Sequence, residues 1–432
     1  MKNSEFSIRL KNKSAILEKL ISKKEIINKD DNSLIFYDIG FIESRINELK
    51  KLFPANTKHA IAVKAIPLVK ILKILKKMEV CVETASLPEI HLALKAGFKA
   101  GQIFFDSPAK TIEELKFSLK KGININADSF DELGRINKLI QNKKIKSTIG
   151  IRINPQIGEG KISETSVAAK YSKFGIPLNE YRTEIIKYFA ENQWLKGIHY
   201  HTGSQGMSIE MLTGSAKRIY HLLVDINKAR EKAGGNKISF VDIGGGLSAN
   251  YDPKEKIVLL NDYVNSLRKN VPGLFSSNIK LATEFGRYIY ANSGWAVSKV
   301  EYVKKSKNTN TAIIHLGADM FLRESYMPGK WHHEIAALSA EGKIKINRNK
   351  LKYNLAGPLC FSGDFIRKGI VLPVIKPGDY ILIHDTGAYT LSMWSRYNSR
   401  QIPKVIGIKS PGGKFAILKE RESIENIIDF WS

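Results

Sequence analysis

The sequence predicts an α/β protein: a parallel (β/α)8 barrel of the TIM type, followed by a second, mostly antiparallel β domain. Three observations carry this. Eight short β-branched runs alternate with amphipathic helical stretches between Ile61 and Glu284. Beyond residue 292 the strand-like runs join through turns, not helices. Polar residues also gather at the C-terminal ends of the eight runs, the end where barrels keep their active sites.

The runs are Ile61–Ile66, Val80–Ala85, Ile103–Phe105, Ile123–Ala127, Thr148–Asn154, Gly197–His201, Ile238–Ile243 and Lys280–Glu284. Apolar residues three and four apart mark helices over Leu68–Met78, Pro88–Ala96, Thr111–Lys121, Phe130–Gln141, Glu180–Asn192 and Ile209–Lys232. Pro88 near a start, Gly97 past an end and Ser129 as an N-cap punctuate them. Eight strand–helix units close a barrel; an open doubly wound sheet is the structural alternative. Turns through Lys307–Thr311, Lys376–Asp379 and Gly412–Gly413 separate the later strands. The expected division is a barrel over residues 38–292, and a β domain formed by 293–432 with 1–37 packed against it.

Composition narrows the function classes. The chain has 432 residues, enough for two domains, and no run of about 18 apolar residues that would span a membrane. Its polar start lacks the apolar core of a secretory signal, which sets a cytoplasmic expectation. Two cysteines, Cys81 and Cys360, make neither a disulfide framework nor an all-cysteine zinc site, and no metal is expected. The net charge is +26. The lysines are spread along the chain in short pairs such as Lys23-Lys24 and Lys76-Lys77. That pattern fits surface charge, or attraction of an anionic substrate, better than a nucleic-acid face.

The rim residues suggest chemistry. Lys64 sits among apolar neighbours at the end of the first run, where an ammonium is costly to bury and an amine can act as a nucleophile. Glu83 ends the second run and Arg152 lies in the fifth. The sixth ends His199-Tyr200-His201-Thr202-Gly203-Ser204-Gln205, and the seventh Asp242-Ile243-Gly244-Gly245-Gly246. Glu284-Phe285-Gly286-Arg287 ends the eighth. Gly244–Gly246, Ser204 and Gly286-Arg287 could cradle a phosphate with backbone N–H groups and charge, at the usual barrel phosphate position. A carboxylate such as Glu284 could keep a pyridine nitrogen protonated, making the ring an electron sink. His201 could lie against that ring. Each could instead be a turn residue, a core histidine or an ion-paired acid; their convergence on one rim is what argues for a site.

These residues, with Ser172-Lys173-Phe174-Gly175-Ile176, Gly357-Pro358-Leu359-Cys360 and Gly387-Ala388-Tyr389, resemble the alanine-racemase-fold pyridoxal-phosphate decarboxylases, the diaminopimelate and ornithine decarboxylase family. The resemblance covers about residues 35 to 425, and the His201–Gln205 and Met393–Arg400 segments resemble its diaminopimelate branch. It implies pyridoxal 5'-phosphate held by Lys64, stacked on His201, paired through its ring nitrogen with Glu284, and gripped at the phosphate by Ser204, Gly245, Gly246, Gly286, Arg287 and Tyr389. Glu83 and Arg152 belong with the cofactor-binding set. It also implies a homodimer whose active sites are shared across the interface, with Cys360 coming from the second subunit as proton donor. A racemase on the same fold is the nearest rival, and Glu284 argues against it because such racemases place Arg at the ring nitrogen. A catalytically inactive regulatory homologue is the second rival; retention of Lys64, His201, Glu284 and Cys360 argues against that.

Two departures bear on the substrate. Phe285 replaces the family's usual proline, and Phe361 stands where diaminopimelate decarboxylases carry an acid for the distal amino group. Arg323 resembles the family's substrate-carboxylate arginine, with Tyr326 one residue closer to it than usual. The resemblance therefore implies a small amino-acid substrate with a distal carboxylate. Its two foremost candidates are meso-diaminopimelate, yielding lysine, and a citryl-diamino acid of carboxylate siderophore synthesis, in which the distal nitrogen is acylated; other amino acids remain a smaller alternative.

Overall fold

The computed structural model describes residues 5–23, 26–141, 144–307, 309–346, 349–409 and 413–432. Lys24, Asn308 and Gly412, which the sequence places in a surface pair and two turns, lie outside them. The chain divides into two compact units. One comprises residues 43–249 and 257–289; the other comprises 1–42, 250–256 and 290–432.

The first unit is a closed parallel barrel. Its strands are Lys58–Ala62, Cys81–Thr84, Ile103–Asp106, Asn124–Ala127, Ile149–Asn154, Leu195–His199, Phe240–Asp242 and Lys280–Thr283. Each pairs with its sequence neighbour, and the last pairs with the first. The expected helices form, including Phe130–Ile140 with the Ser129 hydroxyl capping Glu132 N–H, and the 24-residue Ile209–Lys232. Two more were not anticipated, Ile39–Leu52 and Leu260–Asn270. One expectation is corrected. The first strand ends at Ala62, and Lys64 sits in the single 3-10 turn Val63–Ala65 that follows it. Ala62 N–H turns to the carbonyl of Phe285, and Ile66 N–H closes back on Val63, so the ladder cannot continue through Lys64.

The second unit is built on a nine-stranded sheet. The 13-residue strand Gly294–Ser306 is its spine, pairing antiparallel with Ser33–Asp38, Thr309–Ile314 and Tyr380–His384. Two pairings are parallel, Ser33–Asp38 with Lys404–Lys409 and Thr309–Ile314 with Lys350–Ala356. The N-terminal helix Glu5–Lys23 contributes Leu10, Leu17 and Leu20 to the core around Phe36 and Trp295, whose rings stack 3.9 Å apart. Among the described residues, no helix is long and apolar enough to cross a membrane.

In the barrel unit, Arg230 is only 1% exposed and donates to the carbonyls of Phe189, Asn192, Leu195 and Asn236 at 2.8–3.0 Å. It thus fastens the helix Ile209–Lys232 to the turn that launches the sixth barrel strand. Arg230→Met keeps the volume but leaves those carbonyls without a donor. It should destabilise the protein by about 3 kcal/mol or more, read as a lower midpoint in urea unfolding.

Candidate active site

The barrel strands bring their terminal polar side chains to one level. Arg152 is in register with His199, His199 with Asp242, Asp242 with Ala282, and Ala62 with Glu83. Parallel in-register pairing therefore sets Glu83, Arg152, His199, Asp242 and Glu284 around one end of the barrel.

Lys64 Nζ lies 2.6 Å from both oxygens of Glu83. The lysine side chain is 37% exposed and the glutamate is fully buried. Burial raises the Glu83 carboxyl to about 8, against the pull of the Lys64 ammonium. Glu284 is also buried, and its Oε2 sits 3.1 Å from His199 Nε2. Burial alone would raise Glu284, but the charge and hydrogen bond of His199 overcome it and leave the carboxyl lowered. His199 shows the converse. Burial would lower it, yet Glu284 and Asp106, the latter 3.8 Å from Nδ1, raise it to about 9. Asp106 in turn accepts from Arg152 at 2.8 Å, and Arg152 lies over the Phe174 ring at 4.5 Å. Arg152, Asp106, His199 and Glu284 thus form a buried run of alternating charges, which is how a low-dielectric interior tolerates so many ions.

His201 differs from His199. Its Nδ1 accepts the Gly245 N–H at 3.0 Å, fixing the tautomer with the proton on Nε2. Burial, aided by Arg152, lowers it to about 3, so it is a neutral flat ring. The glycine run beside it has positive φ at Gly244 (63°) and Gly246 (119°). A Cβ on Gly244 would stand 2.3 Å from the Tyr200 carbonyl, so only glycine lets this loop lie against the His201 segment. Arg287 Nε donates to Ser204 Oγ at 3.1 Å. The barrel unit therefore brings together Lys64, Glu83, Arg152, His201, Ser204, Gly245, Gly246, Glu284, Gly286 and Arg287. His199 and Asp106, which the sequence shows on the rim without a task, supply the charges that hold Glu284. The His199-Tyr200-His201 alternation was the available clue, since period two puts both imidazoles on one face of a strand.

The remaining expected residues lie in the sheet unit. Cys360 is exposed; its N–H donates to Asn398 Oδ1 at 2.8 Å, and its carbonyl accepts from Tyr397 at 2.8 Å. Asp364 accepts the N–H groups of Ala318 and Leu359, pinning the loop that carries Cys360. The Phe361 ring stacks on Tyr326 at 5.3 Å and 13°. Arg323 is buried over Trp331 and donates to the carbonyls of Ala388 and Tyr389.

Residues 39–291 match the family described as pyridoxal-dependent decarboxylase, pyridoxal binding domain, and residues 202–387 match the corresponding C-terminal sheet domain. The diaminopimelate decarboxylase of Helicobacter pylori strain J99 is 30% identical over 412 residues, covering 94% of this chain and 97% of that protein. The diaminopimelate decarboxylase of Buchnera aphidicola from Acyrthosiphon pisum is 31% identical over 418 residues, covering 94% and 95%. Among solved structures, the Helicobacter pylori diaminopimelate decarboxylase complexed with L-lysine superposes with a TM-score of 0.81 at 29% identity, covering 95% of this chain and 99% of that one.

The His199–Glu284 pair makes a pH prediction for the cofactor-free protein. The folded imidazole sits at about 9 against 6.5 for a free one. Its stabilising contribution is therefore complete below 6.5 and is lost as pH rises through 9, at about 1.4 kcal/mol per unit of difference. The gap in unfolding free energy between wild type and His199→Gln should shrink across that window, measured by urea titration at successive pH values.

Proposed function

The chain belongs to the pyridoxal-dependent decarboxylases, and from that premise we propose that Lys64 holds the cofactor and that the substrate is an amino acid with a distal carboxylate, diaminopimelate foremost. Its cofactor is pyridoxal phosphate and it is a carboxy-lyase. The residues present fit that group. A half-exposed amine, Lys64, faces a buried acid; Glu284 is kept ionised and its Oε1 receives no donor among the described residues; His201 offers a neutral ring. The buried Glu284 carboxyl, with Oε2 3.1 Å from His199 Nε2 and Oε1 without a donor among the described residues, is the observation that carries the reading, because a protonated ring nitrogen needs an anion opposite it.

When bound, the cofactor supplies a ring that accepts the electrons left on the α-carbon as carbon dioxide departs. This chain's residues do the rest. Glu83 takes up the ammonium proton that Lys64 must shed to act as an amine. Its raised value suits that exchange near neutral pH. Glu284, fixed by His199, would pair with the protonated ring nitrogen. His201 would offer its ring to the cofactor's, and Ser204, Gly245, Gly246, Gly286 and Arg287 would hold the phosphate, a role that the family resemblance extends to Tyr389. Cys360 returns a proton to the α-carbon. Its exposure in the monomer suits a residue delivered to a second subunit's site, so a homodimer, located in the cytoplasm, is part of the proposal.

The relatives' name favours diaminopimelate. The stacked Phe361–Tyr326 pair favours a second reading, an acylated distal nitrogen such as a citryl amide, because neither ring can neutralise an ammonium as a carboxylate does. Arg323 and Tyr326 would then face the distal carboxylate.

Lys64→Ala should abolish carbon-dioxide release and the borohydride-fixable absorbance of the cofactor; retention of both would sink the assignment. A release assay with meso-diaminopimelate and its N-acylated counterparts separates the two substrate readings. On the acylated reading, Phe361→Glu should raise kcat/KM for the free diamine about tenfold or more.

A further inference from the structure

The rim holds a buried acid, Asp242, that the chemistry above does not use. Asp242 ends the seventh barrel strand, in register with His199 on one side and Ala282 on the other, and is fully buried. Its Oδ1 accepts the Gly244 N–H at 3.0 Å, the bond that starts the glycine run. Its Oδ2 is buried and has no donor among the described residues, and the same holds for Glu284 Oε1. Glu284 stands two residues beyond Ala282, the register partner of Asp242, so the two carboxyls share one face of neighbouring strands. Two neighbouring carboxyls buried away from water are strongly disfavoured as a pair of anions, and one proton between them satisfies both.

We infer that Asp242 holds that proton as a neutral carboxylic acid and donates it to Glu284, joining the glycine run and the ring-nitrogen carboxylate into one fixed unit. The choice of Asp242 over Glu284 follows from their partners. Glu284 has the cationic His199 3.1 Å from Oε2, which favours its ionised form. Asp242 has only a backbone amide as donor. The groups facing it are Glu284 from the last strand, with His199 and Tyr200 from the sixth. Burial, and then Glu284, push the Asp242 carboxyl far above the ordinary range, with His199 opposing too weakly to reverse it.

Asp242 is thus a positioning residue. Its Oδ1 sets where Gly244 begins the loop, and its O–H fixes the plane of the Glu284 carboxylate, leaving the other lone pairs of Oε1 for the ring nitrogen. The effect on the cofactor rests on the reading of Glu284 proposed above, whereas the buried proton does not. Asparagine is the natural probe, because its carbonyl can accept from Gly244 while its amide donates to Glu284, reproducing both bonds without a titratable proton.

The test has two arms. Infrared spectra of full-length protein labelled with 13C-aspartate, with and without cofactor, should show a protonated aspartic-acid carbonyl band that persists at about pH 8, above the ordinary Asp range, and is lost in Asp242→Asn. In holoenzyme, Asp242→Asn should keep the cofactor dissociation constant and the pH profile of its absorbance within about threefold of wild type, while Asp242→Ala weakens binding about tenfold or more. Absence of the band in labelled wild type overturns the inference and requires no variant to fold. Equal weakening in Asp242→Asn and Asp242→Ala overturns it as well. A band that is present while Glu284→Ala leaves cofactor binding unchanged upholds the proton and rejects the reading of Glu284 instead.

Discussion

A carboxylate at the inner rim of a closed barrel exists as an anion only if a cation is built in beside it. In this molecule the cation is His199. Its imidazole is buried completely, and the acids around it, Glu284 first and then Asp106, keep it charged. Asp106 is kept charged in turn by Arg152. Remove any member and its neighbours lose part of the charge that compensates their burial. The barrel's in-register strand ends make the arrangement possible, since each strand delivers one member of the series at the same height. Fold and electrostatics are therefore one constraint, and the anionic Glu284 is its product.

The same reasoning explains why the histidine that ends the sixth strand and the one two residues beyond it behave in opposite ways. His199 lies between two acids and is cationic. His201, two residues on, accepts a backbone N–H and has Arg152 as its foremost charged neighbour, so it stays neutral. A flat neutral ring and a charged anchor thus come from one residue type two positions apart. The difference lies entirely in what the neighbouring strands place next to each ring.

Much of the barrel was legible in the sequence because local rules and tertiary structure agree there. Ser129 caps Glu132, Pro88 opens a helix and Gly97 follows its end with φ of 97°. Where they disagree the reading slipped. Ala62 through Ile66 is β-branched and apolar enough to look like continuing strand, but the ladder partner at Ala62 is the Phe285 carbonyl, and the chain curls into a single turn that carries Lys64. The helix Leu260–Asn270 buries Leu260, Tyr263, Val264 and Leu267, a clear stripe, but it lacks a side-chain cap and sits in polar sequence. The parallel partner of Ser33–Asp38 is Lys404–Lys409, nearly the whole chain away, and no local pattern encodes such a pairing. Site residues were legible by type and rim position. The roles of His199, Asp106 and Asp242 were not, because they depend on contacts between strands.

Substrate choice is less legible for a different physical reason. The segment around Cys360 and Phe361 is held by bonds that do not involve the Phe361 side chain. Asp364 accepts the backbone N–H groups of Leu359 and Ala318, Asn398 accepts that of Cys360, and Tyr397 donates to the Cys360 carbonyl. The loop therefore keeps its course whatever side chain stands at 361, and the residue there is free to change in chemistry without cost to the fold. A phenyl ring in that place finds its partner in Tyr326, which is itself mostly exposed. The buried charges of the barrel rim cannot vary one at a time, because each is another's counter-ion; the aromatic pair on the sheet unit can. On the function proposed above, a protein organised in this way would fix its reaction in its interior and leave the identity of the amino acid to a few side chains outside that charged series.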